Sequence, residues 1–192
     1  MEQREALLER LTGGLSKARI AHSLGVETCA VELAGRFGAD REKASVAGLV
    51  HDCAKELTPR QAKELGYQTG IFDDAWMLAE PKLWHAPLGA VIARRDYGVT
   101  DPEVLEAIAC HTTGKPGMTV LDKIIYLADF IEPGRDFHGA EALRACAARD
   151  LDEALIMAFD STIRYLLFNG RTIHPRTVLA RNEAIAAASS KE

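Results

Sequence analysis

The sequence has few aromatic residues, no closely spaced cysteine pair and no excess of positive charge, and each shortage excludes a class of protein. Aromatic residues make up 6% of the 192 residues, and the formal net charge at pH 7 is −5. Such a chain offers no basic field to hold a nucleic-acid backbone, so we expect no nucleic-acid partner. The four cysteines, Cys29, Cys53, Cys110 and Cys146, form no Cys-x-x-Cys pair. Since each lies in a helical-looking stretch, we predict buried free thiols.

Long apolar runs are also missing. The chain begins Met-Glu-Gln-Arg-Glu and contains no apolar stretch long enough to cross a bilayer. We therefore expect a cytoplasmic protein with no membrane partner. With 47% hydrophobic and 27% charged residues, the chain can build an ordinary core. Its length predicts a single domain over residues 1–192, with a core at about 16–185, a short N-terminal helix and a C-terminal tail that frays.

Strand signals are scarce, whereas good helix formers dominate the composition, so the sequence predicts an all-α fold of short and medium helices. Capping residues and glycines divide the chain into segments. The predicted helices run from about Ser16 to Phe37, from Asp40 through the His51-Asp52 pair to about Glu56, and from Pro59 to a stop at Gly66. They continue from Pro81 to Tyr97, Asp101 to His111, Val120 to Ile131, Ala140 to Ala148, Leu151 to Asn169 and Pro175 to Ala188.

The pair His51-Asp52 interrupts the apolar segment Val46-Ala-Gly-Leu-Val-His-Asp-Cys-Ala-Lys55. A helix as apolar as this is expected to be buried. Burial of an ionised Asp beside a His costs several kcal/mol unless something compensates it. A divalent cation compensates well, because carboxylate oxygen and neutral imidazole nitrogen are both good metal ligands.

Further metal-type residues occur in other apolar segments. These are His22, His85, His111 and Asp129. Taken singly, each has an ordinary explanation: a buried His is usually a hydrogen-bonded core residue, and Asp129 is also explained as a cap or an ion-pair partner. Together, polar metal-type residues in several apolar helices are the kind of patterning violation expected at a functional site. His138 and His174 lie in loop-like contexts, and we predict that both are surface residues.

The order of these residues resembles the HD superfamily of metal-dependent phosphohydrolases, whose pattern is His…His-Asp…Asp. The two additional histidines resemble the subset that binds two metal ions. Within it, the chain is similar to the YqeK family of symmetrical bis(5′-nucleosyl)-tetraphosphatases. The similar segments include Arg19-Ile-Ala-His22, Ala47-Gly-Leu-Val-His-Asp-Cys-Ala-Lys55, His85-Ala-Pro-Leu-Gly-Ala90, His111-Thr-Thr-Gly114 and Tyr126-Leu-Ala-Asp-Phe-Ile-Glu-Pro-Gly-Arg135.

The resemblance implies an HD-domain multi-helix fold with a central metal site. It implies that His22, His51, Asp52 and Asp129 hold one divalent ion and that His85 and His111 hold a second, with Asp52 as the bridge. The family is described as using iron, although the ligand types also suit Mn, Co or Zn. The implied reaction is attack of a metal-activated water on phosphorus, which splits diadenosine tetraphosphate (Ap4A) into two ADP. The resemblance also implies a homodimer.

Several residues near the ligands are candidates for contact with substrate phosphates. Lys55 shares a helix face with His51 if the helix continues, and we predict a catalytic role for Asp52 and Lys55. Each substrate candidate also has a structural explanation: solvent-facing Lys, loop ion pair or C-cap turn. The predicted substrate-binding residues are Arg19, Lys55, Thr112, Thr113, Gly114 and Arg135.

Two other functions are compatible with these motifs. One is a different HD phosphohydrolase that acts on nucleoside monophosphates, deoxynucleoside triphosphates or cyclic dinucleotides. The other is a nucleotide sensor that binds without turnover. The complete set of ligand-type residues argues against the sensor.

Overall fold

Every regular element in the described residues, 2–189, is a helix in the computed structural model, so the all-α prediction is confirmed. Two short 3-10 helices cover Ile71–Asp73 and Pro81–Leu83. The α-helices are α1 (Glu2–Gly14), α2 (Lys17–Phe37), α3 (Arg41–Val50), α4 (Pro59–Gln68), α5 (Ala75–Ala79), α6 (His85–Tyr97), α7 (Pro102–Cys110), α8 (Val120–Ile131), α9 (Ala140–Ala147), α10 (Leu151–Phe168) and α11 (Pro175–Ser189).

The helix starts follow from local capping chemistry. Ser16, Asp40 and Asp101 are the N-cap residues of α2, α3 and α7, and each side chain accepts a backbone N–H of the first turn. Thr119 and Asp122 form a capping box at the start of α8, where each side chain accepts the backbone N–H of the other. These caps fix where the helices that carry the polar cluster begin.

Helix α8 lies at the centre of the fold, in contact with α2, α3, α7, α9 and α10. Its residues Ile124, Ile125, Leu127 and Ala128 are fully buried, as expected for a helix that is apolar on most of its faces. Helix α2 packs along α3 at a close approach. A Cβ built on Gly48 of α3 would lie 2.9 Å from the Cα of Glu27 in α2, so only glycine fits there.

The prediction that the helix carrying His51 continues to Glu56 is wrong, because α3 ends at Val50. The next residues form tighter turns, in which Cys53 N–H donates to the Val50 carbonyl and Lys55 N–H to the Asp52 carbonyl. Thr58 must adopt an extended backbone before Pro59, so a continuous helix into α4 is not available. As a result, Lys55 approaches Asp52, with Nζ 3.8 Å from Oδ1.

Two other boundaries also differ from prediction. Helix α4 passes through Gly66 and ends at Gln68; a Cβ on Gly66 would lie 2.4 Å from the Phe72 ring, so this glycine makes room for packing and does not stop the helix. The segment from Pro81 forms a 3-10 turn before α6 begins at His85. The short helix α5 was not predicted, since Asp74 as its N-cap was overlooked.

The remaining expectations concern the cysteines, the tail and membranes. All four cysteines are free; Cys53, Cys110 and Cys146 are buried, but Cys29 is only partly buried and Cys53 lies in the turn after α3. Helix α11 extends to Ser189, through the alanine-rich stretch where we expected fraying; residues 190–192 lie outside the described residues. Within 2–189, no helix combines the length and apolarity that a membrane crossing needs.

Candidate active site

The six metal-type residues come from five segments and converge on one point. His22 lies in α2, and His51 and Asp52 lie in the turn that follows α3. His85 is the first residue of α6, His111 follows the last residue of α7, and Asp129 is in the last turns of α8. These side chains lie close together in space although their segments are far apart in the sequence.

One group of ligand-type atoms surrounds Oδ2 of Asp52. His22 Nε2 lies 3.8 Å from this oxygen and 3.0 Å from Asp129 Oδ1. His51 Nε2 lies 3.5 Å from Asp52 Oδ2 and 3.7 Å from Asp129 Oδ1. Two imidazole nitrogens and two carboxylate oxygens therefore face one another.

A second group lies at the other oxygen of Asp52. His85 Nε2 is 3.3 Å and His111 Nε2 is 3.7 Å from Asp52 Oδ1. The two imidazole nitrogens are 3.2 Å apart. Asp52 thus presents one carboxylate oxygen to each pair of histidines.

Several atoms in this cluster are buried without a hydrogen-bond partner. They are Nε2 of His22, Nε2 of His51 and Oδ1 of Asp52. Burial of these polar atoms costs desolvation free energy that no hydrogen bond within the protein offsets. Ligand atoms of His22, His51 and Asp129 lie within 4.8 Å of one another, and so do those of His51, Asp52 and His111. The donor set and its unsatisfied atoms fit divalent cations.

The protonation states of Asp52, His85 and His111 suit a cation, and His51 is the exception. Burial opposes ionisation of Asp52, but His51, His111 and His85 outweigh it and lower its pKa. Burial lowers the pKa of His111 to about 4, and burial together with His111 lowers that of His85. Burial acts the same way on His51, but Asp52 and Asp129 outweigh it and raise its pKa. Ionised carboxylates and neutral imidazoles are the forms that ligate metal.

Backbone and side-chain acceptors fix how three of the rings point. Nδ1 of His51 donates to the Gly48 carbonyl at 2.8 Å, and Nδ1 of His111 donates to the Ile108 carbonyl at 2.7 Å. Nδ1 of His22 lies 3.1 Å from Oε1 of Glu132. In each case the proton on Nδ1 leaves Nε2 as the lone-pair nitrogen directed into the cluster.

Sequence reasoning missed Glu132, which it treated only as part of a helix break. The residue is 5% exposed, and its Oε2 accepts the Gly134 N–H at 2.6 Å. A Cβ on Gly25 would lie 2.6 Å from Oε2, and one on Gly134 would lie 2.9 Å from Oε1. The only signal in the sequence was a carboxylate three residues after Asp129, directly before the Pro133-Gly134 pair.

A cleft of about 340 Å³ opens beside the cluster. Lys55 lines it, and Lys55 Nζ lies 2.9 Å from His85 Nε2. Thr112 also lines it, with a buried Oγ1 that has no hydrogen-bond partner. The lining side chains are Lys55, Lys82, His85, His111, Thr112, Tyr126, Asp129, Phe130, Arg135, Phe137 and Thr162.

The two arginine candidates point at carboxylates of the cluster. Arg19 Nη1 lies 2.5 Å from Asp52 Oδ2, and Arg135 Nη2 lies 2.5 Å from Asp129 Oδ1. These are oxygens that also face the imidazoles, so a bound cation would compete with both ion pairs for them.

Thr113 and Gly114 do not reach the cleft. The Thr113 hydroxyl is buried and donates to the Gly114 carbonyl at 2.9 Å. Gly114 has φ +65°, and a Cβ there would lie 2.6 Å from the Phe159 ring. Their contacts are those of a structural turn that holds the loop after α7.

The two histidines predicted at the surface differ from each other. His138 is exposed, as predicted. The prediction for His174 is wrong, because this ring is 4% exposed. Its Nε2 lies 3.3 Å from Asp74 Oδ2 and its Nδ1 accepts the Arg176 N–H, so the residue ties the start of α11 to the cap of α5.

Comparison with known proteins agrees with this geometry. The HD domain family matches residues 19–134, a segment that contains all six metal-type residues, and the chain therefore belongs to the HD family. It is 41% identical, over 93% of its length and 96% of the relative's, to the symmetrical bis(5′-nucleosyl)-tetraphosphatase of Bacillus subtilis. A Staphylococcus aureus protein of the same name is 32% identical, with 85% of each chain covered. Within the HD family, these relatives assign the chain to the YqeK group.

A solved structure has the same fold. The crystal structure of a predicted HD superfamily hydrolase involved in NAD metabolism, from Clostridium acetobutylicum, superposes with a TM-score of 0.92. It is 43% identical in sequence and covers 95% of this chain and 97% of its own. The HD-domain prediction for the fold is confirmed.

Proposed function

We propose that the chain is a single-domain, metal-dependent hydrolase that cleaves dinucleoside tetraphosphates symmetrically, so that Ap4A gives two ADP. The observation that carries the proposal is the division of Asp52 between two pairs of histidines, beside a cleft lined by cationic side chains. Relatives that align over most of the chain bear the name of this activity.

Two divalent ions would be held by residues of this chain. His22, His51, Asp129 and Oδ2 of Asp52 would bind the first; His85, His111 and Oδ1 of Asp52 would bind the second. We propose iron as the native metal, although Mn, Co and Zn suit the same donors. When bound, such ions supply Lewis acidity and lower the pKa of a coordinated water.

The side chains around the ligands bind and orient the polyphosphate. Lys55 presents an ammonium beside His85, and Thr112 lines the cleft and has a buried, unpartnered hydroxyl. Arg19 and Arg135 carry guanidinium groups that fit phosphate oxygens once the carboxylates bind cations. Thr113 and Gly114 support the loop that carries Thr112. Glu132 is a positioning residue, because its carboxylate keeps the proton of His22 on Nδ1.

The function is tested by metal analysis followed by turnover. The purified protein is expected to contain divalent metal and to convert Ap4A to ADP as sole product. The His51→Ala variant should lose both, whereas Tyr67→Ala, which changes an exposed residue outside the cluster and the cleft, should lose neither. Equal turnover by His51→Ala and wild type would refute the mechanism. Inorganic phosphate from a nucleoside monophosphate would favour a different HD activity, and tight binding without turnover would favour a sensor.

The assembly we propose is a homodimer. Helices α10 and α11 expose large apolar side chains, with Phe168 at 91%, Leu167 at 65%, Tyr165 at 59% and Leu179 at 54%. Helices α10 and α11 pack against each other, and exposed apolar side chains concentrated on neighbouring helices are a common mark of a subunit interface. Light scattering of the wild type should give a molecular mass twice that of the 20.9 kDa chain. The Phe168→Asp variant should give the mass of a single chain. A monomeric wild type would refute the dimer without affecting the hydrolase proposal.

Location and partners follow from the substrate. We propose that the enzyme is cytoplasmic, because nucleotides are abundant in the cytoplasm and free thiols such as those of Cys53 and Cys110 stay reduced there. The net charge of −5 disfavours a nucleic-acid backbone as substrate. Cleavage of a single-stranded oligonucleotide at a rate comparable with Ap4A would contradict this proposal.

A further inference from the structure

Aromatic rings form one wall of the catalytic cleft. Tyr126, Phe130 and Phe137 all line it, three of only twelve aromatic side chains in the sequence. Tyr126 and Phe130 stack with centroids 6.5 Å apart and an interplanar angle of 13°, and Phe137 meets Phe130 edge-on at 5.2 Å. The row starts in the core, where Tyr126 packs against fully buried Phe159 at 4.7 Å. Packing therefore holds the rings of the wall in place.

The outer rings of this row pack against the core but are not enclosed by it. Phe130 and Phe137 are both only partly buried, and Phe137 lies on the irregular segment between α8 and α9. Partial exposure of an apolar ring inside a polar cleft has a solvation cost that a ligand in contact with the ring would remove. None of the proposed catalytic steps needs these two rings.

The same cleft is lined by cations that suit phosphate. Lys55, Lys82 and Arg135 line it together with Phe130 and Phe137. A nucleotide has this combination of parts, a polyanionic chain joined to a flat aromatic base. Base–aromatic stacking is tolerant of base identity, since every base has a π-face.

Phe137 borders more space than the catalytic cleft alone. This ring also lines a second cavity of about 290 Å³, which includes Ser161, Asp160 and exposed His138. Phe137 thus borders both the catalytic cleft and a neighbouring hollow with polar groups. A base in contact with Phe137 would remain within the reach of a phosphate chain that enters the cleft.

We propose that Phe137, supported by Phe130, is a nucleobase site, on which the base of one nucleoside moiety of the substrate stacks while its phosphates enter the cationic cleft. The proposal rests on the hydrolase function proposed above. It assigns the aromatic wall to ligand recognition and names the ligand class as a nucleoside diphosphate unit.

The test separates base binding from phosphate binding in the metal-loaded protein. ADP and inorganic pyrophosphate share the diphosphate group, but only ADP carries a base. Calorimetric titration of Phe137→Ala is expected to show roughly tenfold weaker ADP binding than wild type, with pyrophosphate affinity unchanged. Tyr67→Ala, which removes an exposed ring outside the cleft, serves as the control and should change neither.

A second variant does not depend on the alanine protein folding well. Phe137→Trp keeps an aromatic face and introduces a fluorophore at the site. ADP is expected to quench its added emission by stacking, and pyrophosphate is not. Unchanged ADP affinity in Phe137→Ala, or equal losses for ADP and pyrophosphate, would overturn the proposal, as would absence of ADP-specific quenching in Phe137→Trp.

Failure of this inference is distinguishable from failure of the hydrolase function. Wild-type protein that cleaves Ap4A while Phe137→Ala binds ADP normally refutes the base site alone. ADP-specific quenching in Phe137→Trp, together with wild-type protein that does not cleave Ap4A, refutes the hydrolase and leaves the base site supported.

Discussion

Two carboxylates are buried on neighbouring parts of the fold, and the protein treats them differently. Glu27 of α2 accepts Arg4 Nε at 2.6 Å, Arg4 Nη2 at 2.8 Å and the Ser45 hydroxyl at 2.6 Å, so both of its oxygens are paired. Asp52 is equally buried, yet its Oδ1 has no hydrogen-bond partner. The first arrangement ties α1 and α3 to α2. The second leaves bonding capacity for a ligand that the polypeptide does not supply, as expected of the proposed metal site.

The sharpest way to break this comparison is to neutralise each carboxylate in turn. Asp52→Asn should lower metal content and reduce Ap4A turnover by about 10³-fold or more, since it removes a group that acts with the rest of the site as a unit. Glu27→Gln should keep metal and turnover but lose about 1–2 kcal/mol of unfolding free energy. Elemental analysis measures metal content, initial rates measure turnover, and thermal melts measure stability. A folded Glu27→Gln protein that is as inactive as Asp52→Asn would contradict the different roles assigned to the two carboxylates.

The next largest effect is expected at Glu132, which orients His22 without lining the cleft. Glu132→Ala leaves the His22 Nδ1–H without its acceptor, and metal affinity should fall roughly 10- to 100-fold. Glu132→Gln retains a carbonyl oxygen for that bond and should recover part of the loss. Titration of metal into chelator-treated protein gives both affinities. Equal affinity in the wild type and Glu132→Ala would show that His22 needs no partner.

A smaller effect, on stability, is expected at the contact between α2 and α3. In Gly48→Ala the new methyl group meets the backbone of Glu27 at 2.9 Å, so the helices must separate, at a cost of about 1–3 kcal/mol. Gly35→Ala is the matched control, because its nearest neighbour is the Arg41 side chain at an ordinary 3.5 Å. That change should stabilise α2 by about 0.5–1 kcal/mol. Denaturant unfolding of both variants measures whether each change raises or lowers the free energy of unfolding. A loss of stability in both would show that the close contact at Gly48 is not the cause.

The smallest effect concerns pH and the buried His174. Burial holds the pKa of this imidazole below its ordinary value, although Asp74 opposes the shift. The unfolded chain therefore takes up the proton first as the pH falls, so stability declines from about pH 6.5, the ordinary His value, downward. His174→Gln removes this contribution, and its unfolding free energy should fall less between pH 7 and pH 5 than that of wild type. An identical pH dependence in the two proteins would count against the burial argument.

The sequence was most informative where local chemistry decides structure. Thr119 and Asp122 predicted the start of α8, and the apolar run around Asp129 predicted that α8 is largely buried. Both predictions are confirmed. The prediction for α3 was wrong because apolar residues continue past Val50, whereas the backbone changes there to tighter turns that no residue pattern signals. Glycine at Gly66 signalled a helix end, but its actual reason is the Phe72 ring, a contact that only tertiary packing creates.

Within the candidate site, residue types were predictable but partnerships were not. His51, Asp52 and Asp129 stand out as polar residues in apolar segments, which is a property of the sequence. The role of Glu132 depends on a 3.1 Å approach to His22, and the wall formed by Phe130 and Phe137 depends on how the loop after α8 folds back. Neither has a periodicity or spacing that could be read beforehand. His174 was misassigned for the same reason, since its burial depends on α5.

The contact between His22 and Glu132 joins residues 110 positions apart in the chain. The proposed metal site therefore forms only once α2 and α8 have docked. A metal that binds there would stabilise the docked state and not the separate helices. We expect metal to prolong the lifetime of the native state by slowing its opening, while the rate at which the chain first collapses and folds stays nearly the same.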